Sequence, residues 1–202
     1  MTASSKTNNL NAPVANASPD TSEIALARAL LDAQSAGVHN LSASLDWQAA
    51  QFTRAVELIV QCVQSRGSVL VSGLGKSGLV GAKMSATMAS LGIPSHYIHP
   101  SEAAHGDLGN FRTSDVCIAL SYSGETDEVV ALAAVLRQDG VPVIGITAGP
   151  RNPTDEPSSL DRLATVSLSI GRVEESAGFG PAPMCSTTAT MALGDALALC
   201  AS

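Results

Sequence analysis

Val71-Ser72-Gly73-Leu74-Gly75-Lys76-Ser77-Gly78 closes an apolar run and opens a helix-like segment. A turn of this composition between a strand and a helix offers backbone N–H groups, hydroxyls and a positive helix end to an anion. The arrangement recurs in Ser121-Tyr122-Ser123-Gly124-Glu125-Thr126-Asp127-Glu128. Two such turns point to a phosphorylated small molecule held at the C-terminal edge of a parallel sheet.

Working outward from the first turn, apolar runs and helical periods alternate. Two helices come first, from Ser22 to about Ala36 and from about Ser44 or Asp46 to Ser65, where Phe52, Val56, Ile59, Val60 and Val63 form a stripe. Strands are predicted at Ser68–Ser72, His96–His99, Val116–Ser121, Val141–Thr147 and Thr165–Ile170. Helices are predicted at Ser77–Leu91, stopped by Gly92 and Pro94, at Glu125–Gln138 with Val129, Leu132, Ala133 and Leu136 on one face, and at Ser186–Cys200. Arg151–Arg162 reads as a polar, mobile loop. The expected fold is α/β: a doubly wound, about five-stranded parallel sheet flanked by helices.

Composition sets the outer limits. The first 20 residues of the 202 are rich in Ser, Thr, Asn, Ala and Pro without an apolar period, and read as a disordered tail. Residues 21–202 suit one domain with a sizeable core. A formal charge of −7 with no basic run argues against a nucleic-acid surface. Cys62, Cys117, Cys185 and Cys200 form no CxxC pair and read as small buried hydrophobes in a reducing compartment. No signal peptide or membrane span is legible, so the expected location is the cytoplasm.

Residues 73–78 also fit other patterns. They satisfy GxGxxG literally, although Lys76 inside the turn would obstruct a pyrophosphate. Gly75-Lys76-Ser77 is P-loop-like, but the position five residues before Gly75 is Leu70, not glycine. The third reading is a sugar-phosphate pocket in which Ser77 caps the helix and donates to phosphate while Lys76 points into the same cleft. In the second turn, the hydroxyls of Ser121, Ser123 and Thr126 and the first helical amides make a phosphate cradle without arginine. Taken alone, Glu125 and Glu128 in that turn are better explained as dipole compensation.

The runs GLGKSGLVGAKMSATMASLGIPSHYIHPSEAAHGDLG, DVCIALSYSGETDE and CSTTATMALGDALAL resemble, in that order, the sugar isomerase (SIS) domain of D-arabinose 5-phosphate isomerases. The likeness covers roughly Leu26 to the C-terminus. It implies interconversion of D-ribulose 5-phosphate and D-arabinose 5-phosphate through an enediol, feeding lipopolysaccharide biosynthesis. It implies Lys76, His105, Glu128 and Glu175 as catalytic candidates, with Glu125 and Glu174 as neighbouring competitors for the acid/base role. The accompanying substrate-binding set is Ser77, Gly92, Ile93, Ser121, Ser123, Gly124 and Thr126. The resemblance further implies no required cofactor, a divalent metal as inhibitor with His99 as ligand, a phosphorylated pentose as partner, no nucleic acid or membrane, and a homotetramer.

Some positions depart from that pattern. Tyr122 stands where relatives often carry Asn, and the 151–162 loop is longer than usual. Relatives commonly continue into two CBS modules and carry a Ser-His-Pro-Gly-Gly segment after the last helix. Neither occurs within these 202 residues, so the expectation is a domain working without them. The main functional expectation is an active isomerase. The alternatives are a noncatalytic sugar-phosphate-binding or regulatory protein, or an isomerase of another phosphosugar.

Overall fold

The computed structural model describes residues 22–104, 109, 111–150, 154, 156–173, 175 and 182–202. The expected N-terminal tail lies outside the described residues. The elements are α1 (Ser22–Ser44), α2 (Ala49–Gln64), β1 (Val69–Gly73), α3 (Lys76–Ser90), β2 (Ser95–Ile98), α4 (Pro100–Ala104), β3 (Val116–Leu120), α5 (Asp127–Gln138), β4 (Val143–Thr147), α6 (Ser159–Leu163), β5 (Val166–Ser169) and α7 (Cys185–Ala201).

The five strands form one parallel sheet in the order β2-β1-β3-β4-β5. The chain steps one way from β1 to β2 and the other way from β3 onward. The topological switch point therefore lies between β1 and β3, where ligands of open α/β sheets bind.

β1, β3 and β4 are buried from end to end, so their apolar runs are continuous. Side chains still alternate between faces. Val69, Val71, Val116, Ile118, Leu120, Ile144, Ile146 and Leu168 join a core with α2, α3 and α7. Leu70, Cys117, Ala119 and Val143 join a second core with α5 and Leu160 of α6. Met84 and Met88 are fully buried filler in the first core. α5 buries Val129, Leu132, Ala133 and Leu136, the four positions its sequence period selects.

Other expectations are corrected. The expected 151–162 loop is helical at its end, where Ser158 caps α6 in a capping box closed by Asp161; residues 151–153 and 155 lie outside the described residues. α1 runs past Ala36 to Ser44, yet Ile24, Leu26 and Leu31 on it are exposed. α2 turns Ala55, Leu58, Ile59 and Cys62 inward, with Phe52, Val56 and Val63 at the margin. Cys200 is exposed, unlike the other three cysteines.

Two polar side chains close ends of the sheet. The Gln48 amide, almost fully buried, donates to the Ser169 carbonyl (2.9 Å) and accepts its N–H (3.0 Å), completing the edge of β5 as another strand would. Asp115, also buried, accepts from the N–H of Ser68 and of Arg112 (2.8 Å each), tying the entrances of β1 and β3. Among the described residues, no helix is long and apolar enough to cross a membrane.

Candidate functional site

A cavity of about 480 Å³ opens at the C-terminal edge of the sheet, over the switch point. Its floor is Leu120, Ile146 and Ile170, at the ends of β3, β4 and β5. Its walls come from the starts of three helices: Lys76, Ser77 and Val80 of α3, Thr126 before α5, and Ser186, Thr187 and Thr190 of α7. Ser121, Tyr122 and Ser123 cross between them.

The three helix starts differ. α3 has Gly75 at its N-cap and no side chain caps it; Ser77 is the second helical residue, which corrects its expected capping role. α5 starts at Asp127 with Thr126 at the N-cap, and again no side chain accepts from its first amides. The Thr126 hydroxyl pairs instead with Ser121 Oγ at 2.8 Å. Both helices thus present free N–H groups and positive dipole ends toward one recess. α7 is capped by Glu175: Oε2 accepts from the N–H of Met184 (2.8 Å) and Cys185 (3.0 Å), and Oε1 from that of Ser186 (3.0 Å). Desolvation pushes the Glu175 pKa up, but hydrogen bonds from the Ser186 hydroxyl and these three amides outweigh it, and the net shift is downward. Glu175 is therefore an anion at neutral pH.

The second turn is held from several sides. Ser121 Oγ accepts the Gly124 N–H (3.1 Å), and Ser123 Oγ accepts the Glu125 N–H (3.2 Å). The Ser121 N–H reaches the Ile146 carbonyl (3.1 Å), and the Tyr122 carbonyl receives the Ala148 N–H (2.9 Å). Gly124 sits at φ 71°, and a Cβ there would lie 2.0 Å from Ser158 Oγ, so both conformation and space require glycine. In the first turn, the Tyr97 hydroxyl donates to the Gly73 carbonyl at 2.8 Å, directly beside Gly78.

The structure brings together Lys76, Ser77, Ser121, Ser123, Thr126 and Glu175 around one cavity. It does not bring the other described candidates there within this chain. Gly92 and Ile93 lie between α3 and β2, at the opposite edge of the sheet, where the adjacent Pro94 carbonyl accepts from Val69 at the start of β1. Ile93 is buried in the first core, and Gly92 at φ 81° turns the chain out of α3. Glu128 is exposed on α5 and lines a separate recess with Pro100, Ser101 and Asp127. His99 Nδ1 accepts the Ser101 N–H (3.3 Å) in a cleft shared with His96 and Glu102. Among the described residues, no three His, Cys, Asp or Glu side chains are grouped to hold a metal. His105 and Glu174 lie outside the described residues.

Sequence reasoning missed Tyr122, Thr147, Ile170 and Thr190 as cavity lining. Thr190 carried a legible signal, since Ser186, Thr187 and Thr190 fall on one side of an otherwise apolar helix.

The family model described as SIS domain matches residues 63–200. An arabinose 5-phosphate isomerase KdsD of Shigella flexneri is 49% identical over 148 residues, 73% of this chain and 42% of that protein. An arabinose 5-phosphate isomerase KpsF of Escherichia coli is 45% identical over 172 residues, 85% of this chain and 49% of that protein. The chain thus spans less than half the length of these curated relatives. Among solved structures, E. coli CFT073 c3406 in complex with arabinose 5-phosphate superposes with a TM-score of 0.78 at 34% identity, covering 89% of each chain. A phosphosugar isomerase assigned to capsule formation in Bacteroides fragilis NCTC 9343 gives 0.77 at 34% identity, again over 89% of each.

Proposed function

The chain belongs to the SIS domain family, and from that premise we propose that it interconverts D-ribulose 5-phosphate and D-arabinose 5-phosphate. One observation carries the reading. Two uncapped helix starts and a carboxylate-capped third converge on one cavity, so an anion seat and an ionised acid face the same ligand. The relatives named as arabinose 5-phosphate isomerases and the neighbour solved with arabinose 5-phosphate bound supply the substrate class.

In this reading the phosphate sits between the starts of α3 and α5, with Ser77, Ser121, Ser123 and Thr126 as hydroxyl donors. The open-chain sugar then extends toward Glu175. Glu175 removes the C1 proton of the ketose, the electron pair forms the C1–C2 double bond, and the carbonyl π electrons collect on O2. Lys76 stabilises that oxyanion. Transfer of the O1 proton to O2 and return of the Glu175-held proton to C2 complete the aldose. The hydrogen bonds that hold Glu175 anionic also weaken it as a base, so the oxyanion stabilisation from Lys76 has to supply much of the rate.

A second reading rests on the same residue. With both Glu175 oxygens already engaged by α7 amides, the cavity could bind a phosphosugar without moving a proton. Incubating the protein with D-ribulose 5-phosphate in deuterated water separates the two. Deuterium at C1 or C2 and appearance of D-arabinose 5-phosphate support turnover; binding with neither rejects it.

A homotetramer is part of the proposal. Glu128 stands outside its own chain's cavity beside an apolar recess of Ala131, Leu132 and Val135, so a catalytic Glu128 would have to serve a neighbouring copy. A purely monomeric species in analytical ultracentrifugation would reject this.

A further inference from the structure

We propose that Glu125 and Asp161 are positioning residues that hold the second turn in register through α6, without touching the ligand. The inference rests on the reading that this turn grips a phosphate.

The chain of contacts starts at Asp161. Its Oδ2 accepts from the Ser158 N–H (3.1 Å) and the Ser158 hydroxyl (2.7 Å), closing the first turn of α6. Its Oδ1 accepts from the Thr147 hydroxyl at the end of β4 (3.1 Å) and from the Ser167 hydroxyl of β5. One carboxylate therefore fastens a five-residue helix to two strands. Leu160, fully buried in the second core, seats the same helix from below.

α6 then reaches across to the turn. The Ser159 N–H donates to Glu125 Oε1 (2.8 Å), and the Leu160 N–H donates to the Gly124 carbonyl (3.0 Å). Ser158 fills the space beside Gly124. Gly124 and Glu125 are flanked by Ser123 and Thr126, both in the cavity wall, whereas Glu125 and Asp161 do not line the cavity. The backbone and side-chain hydrogen bonds from Ser159 hold the Glu125 pKa below its ordinary value. That contact also draws a negative charge away from the phosphate seat, where it would repel the ligand.

The arrangement separates Glu125 from a general base. A base substitution lowers kcat; loss of a brace raises KM while leaving kcat nearly intact. The test compares Glu125→Ala, Glu125→Gln and Asp161→Asn with wild type in the full chain. Steady-state kinetics with D-ribulose 5-phosphate, calorimetric binding of inorganic phosphate, and amide hydrogen exchange over residues 121–127 are read together. Glu125→Ala is expected to raise KM and the phosphate Kd about tenfold, with kcat within about twofold, as loss of one charge-assisted hydrogen bond implies. Glu125→Gln keeps an acceptor for Ser159 and should recover most of the loss. Asp161→Asn should speed exchange in both α6 and the turn. Unchanged exchange at 121–127 in Glu125→Ala overturns the brace. A collapse of kcat overturns it too, because Glu125 would then act in the chemistry. Faster exchange with unaltered phosphate binding keeps the mechanical link but rejects the turn as the phosphate seat. Wild-type protein that binds no phosphate also rejects that reading, and the exchange measurement still decides the brace.

Discussion

Gly78 is where two ways of reasoning give opposite signs. It lies inside α3, so helix propensity alone says that Gly78→Ala stabilises by about 1 kcal/mol. Packing says otherwise. A Cβ at Gly78 would fall 2.5 Å from the Tyr97 hydroxyl oxygen and 2.7 Å from the Gly73 carbonyl oxygen. The Tyr97 ring could swing, but its hydroxyl would then abandon the 2.8 Å hydrogen bond to that carbonyl. The lost bond costs about 1–3 kcal/mol where the carbonyl is left dry, and the overpacking about 1–3 kcal/mol more. After the propensity gain, the net is a loss of about 1–5 kcal/mol. At roughly 2–4 °C per kcal/mol for a chain of this size, Tm should fall by roughly 2–20 °C. Differential scanning calorimetry on Gly78→Ala, Tyr97→Phe and the double variant checks both size and origin. Removing the hydroxyl should recover part of the deficit, so the two substitutions should not add. A Gly78→Ala protein as stable as wild type, or more so, would refute the packing argument.

Other outcomes follow from the same geometry. Lys76→Ala and Glu175→Gln should each lower kcat at least about a hundredfold in the isomerase assay while circular dichroism stays native; near-normal turnover in both would remove them from the chemistry. Glu175→Gln should also cost about 1 kcal/mol at neutral pH, because it removes an anion from the start of α7. The Glu175 pKa is lowered on folding, so its contribution is full above the ordinary glutamate value of about 4.3 and fades as pH falls through the lower folded value. Melting curves of wild type and Glu175→Gln should therefore converge in acid, and a gap that persists to about pH 2 would contradict the capping. In thiol labelling, Cys200 should react fast in native protein while Cys62, Cys117 and Cys185 wait for unfolding. Burial, with the nearby Asp115 charge, pushes Cys62 up to about 11, and burial pushes Cys117 up to about 12; fast native labelling of either would refute their placement.

The centre of the sheet was legible because its strands are buried on both faces and followed by turns containing glycine. β1, β3 and β4 could hardly be anything else. The cavity's composition was legible for a related reason: Lys76, Ser77, Ser121, Ser123 and Thr126 are all within a few residues of a strand end, and a doubly wound sheet gathers such ends. What failed was anything set by distance in sequence. α6 is too short to carry a helical period, and it stands because Asp161 finds Thr147 and Ser167. Glu125 reads as a helix-start acid, yet its partner is Ser159, 34 residues on. Gly92 and Ile93 join the ligand contacts only through a resemblance, and the topology puts them at the far edge.

The clamp at Asp115 bears on how the chain is born. β1 is complete long before its central neighbour, because Asp115 follows Ser68 by 47 residues. At a ribosomal pace of roughly 5–20 residues per second, that delay is about 2–9 s, far longer than helices or hairpins need to form. During it, one side of an apolar strand has only the nascent chain or a chaperone to meet. The carboxylate that fastens Ser68 to the start of β3 ends that interval, so weakening it should show first as poorer yield of soluble protein at high synthesis rates, before any change in the finished molecule's activity.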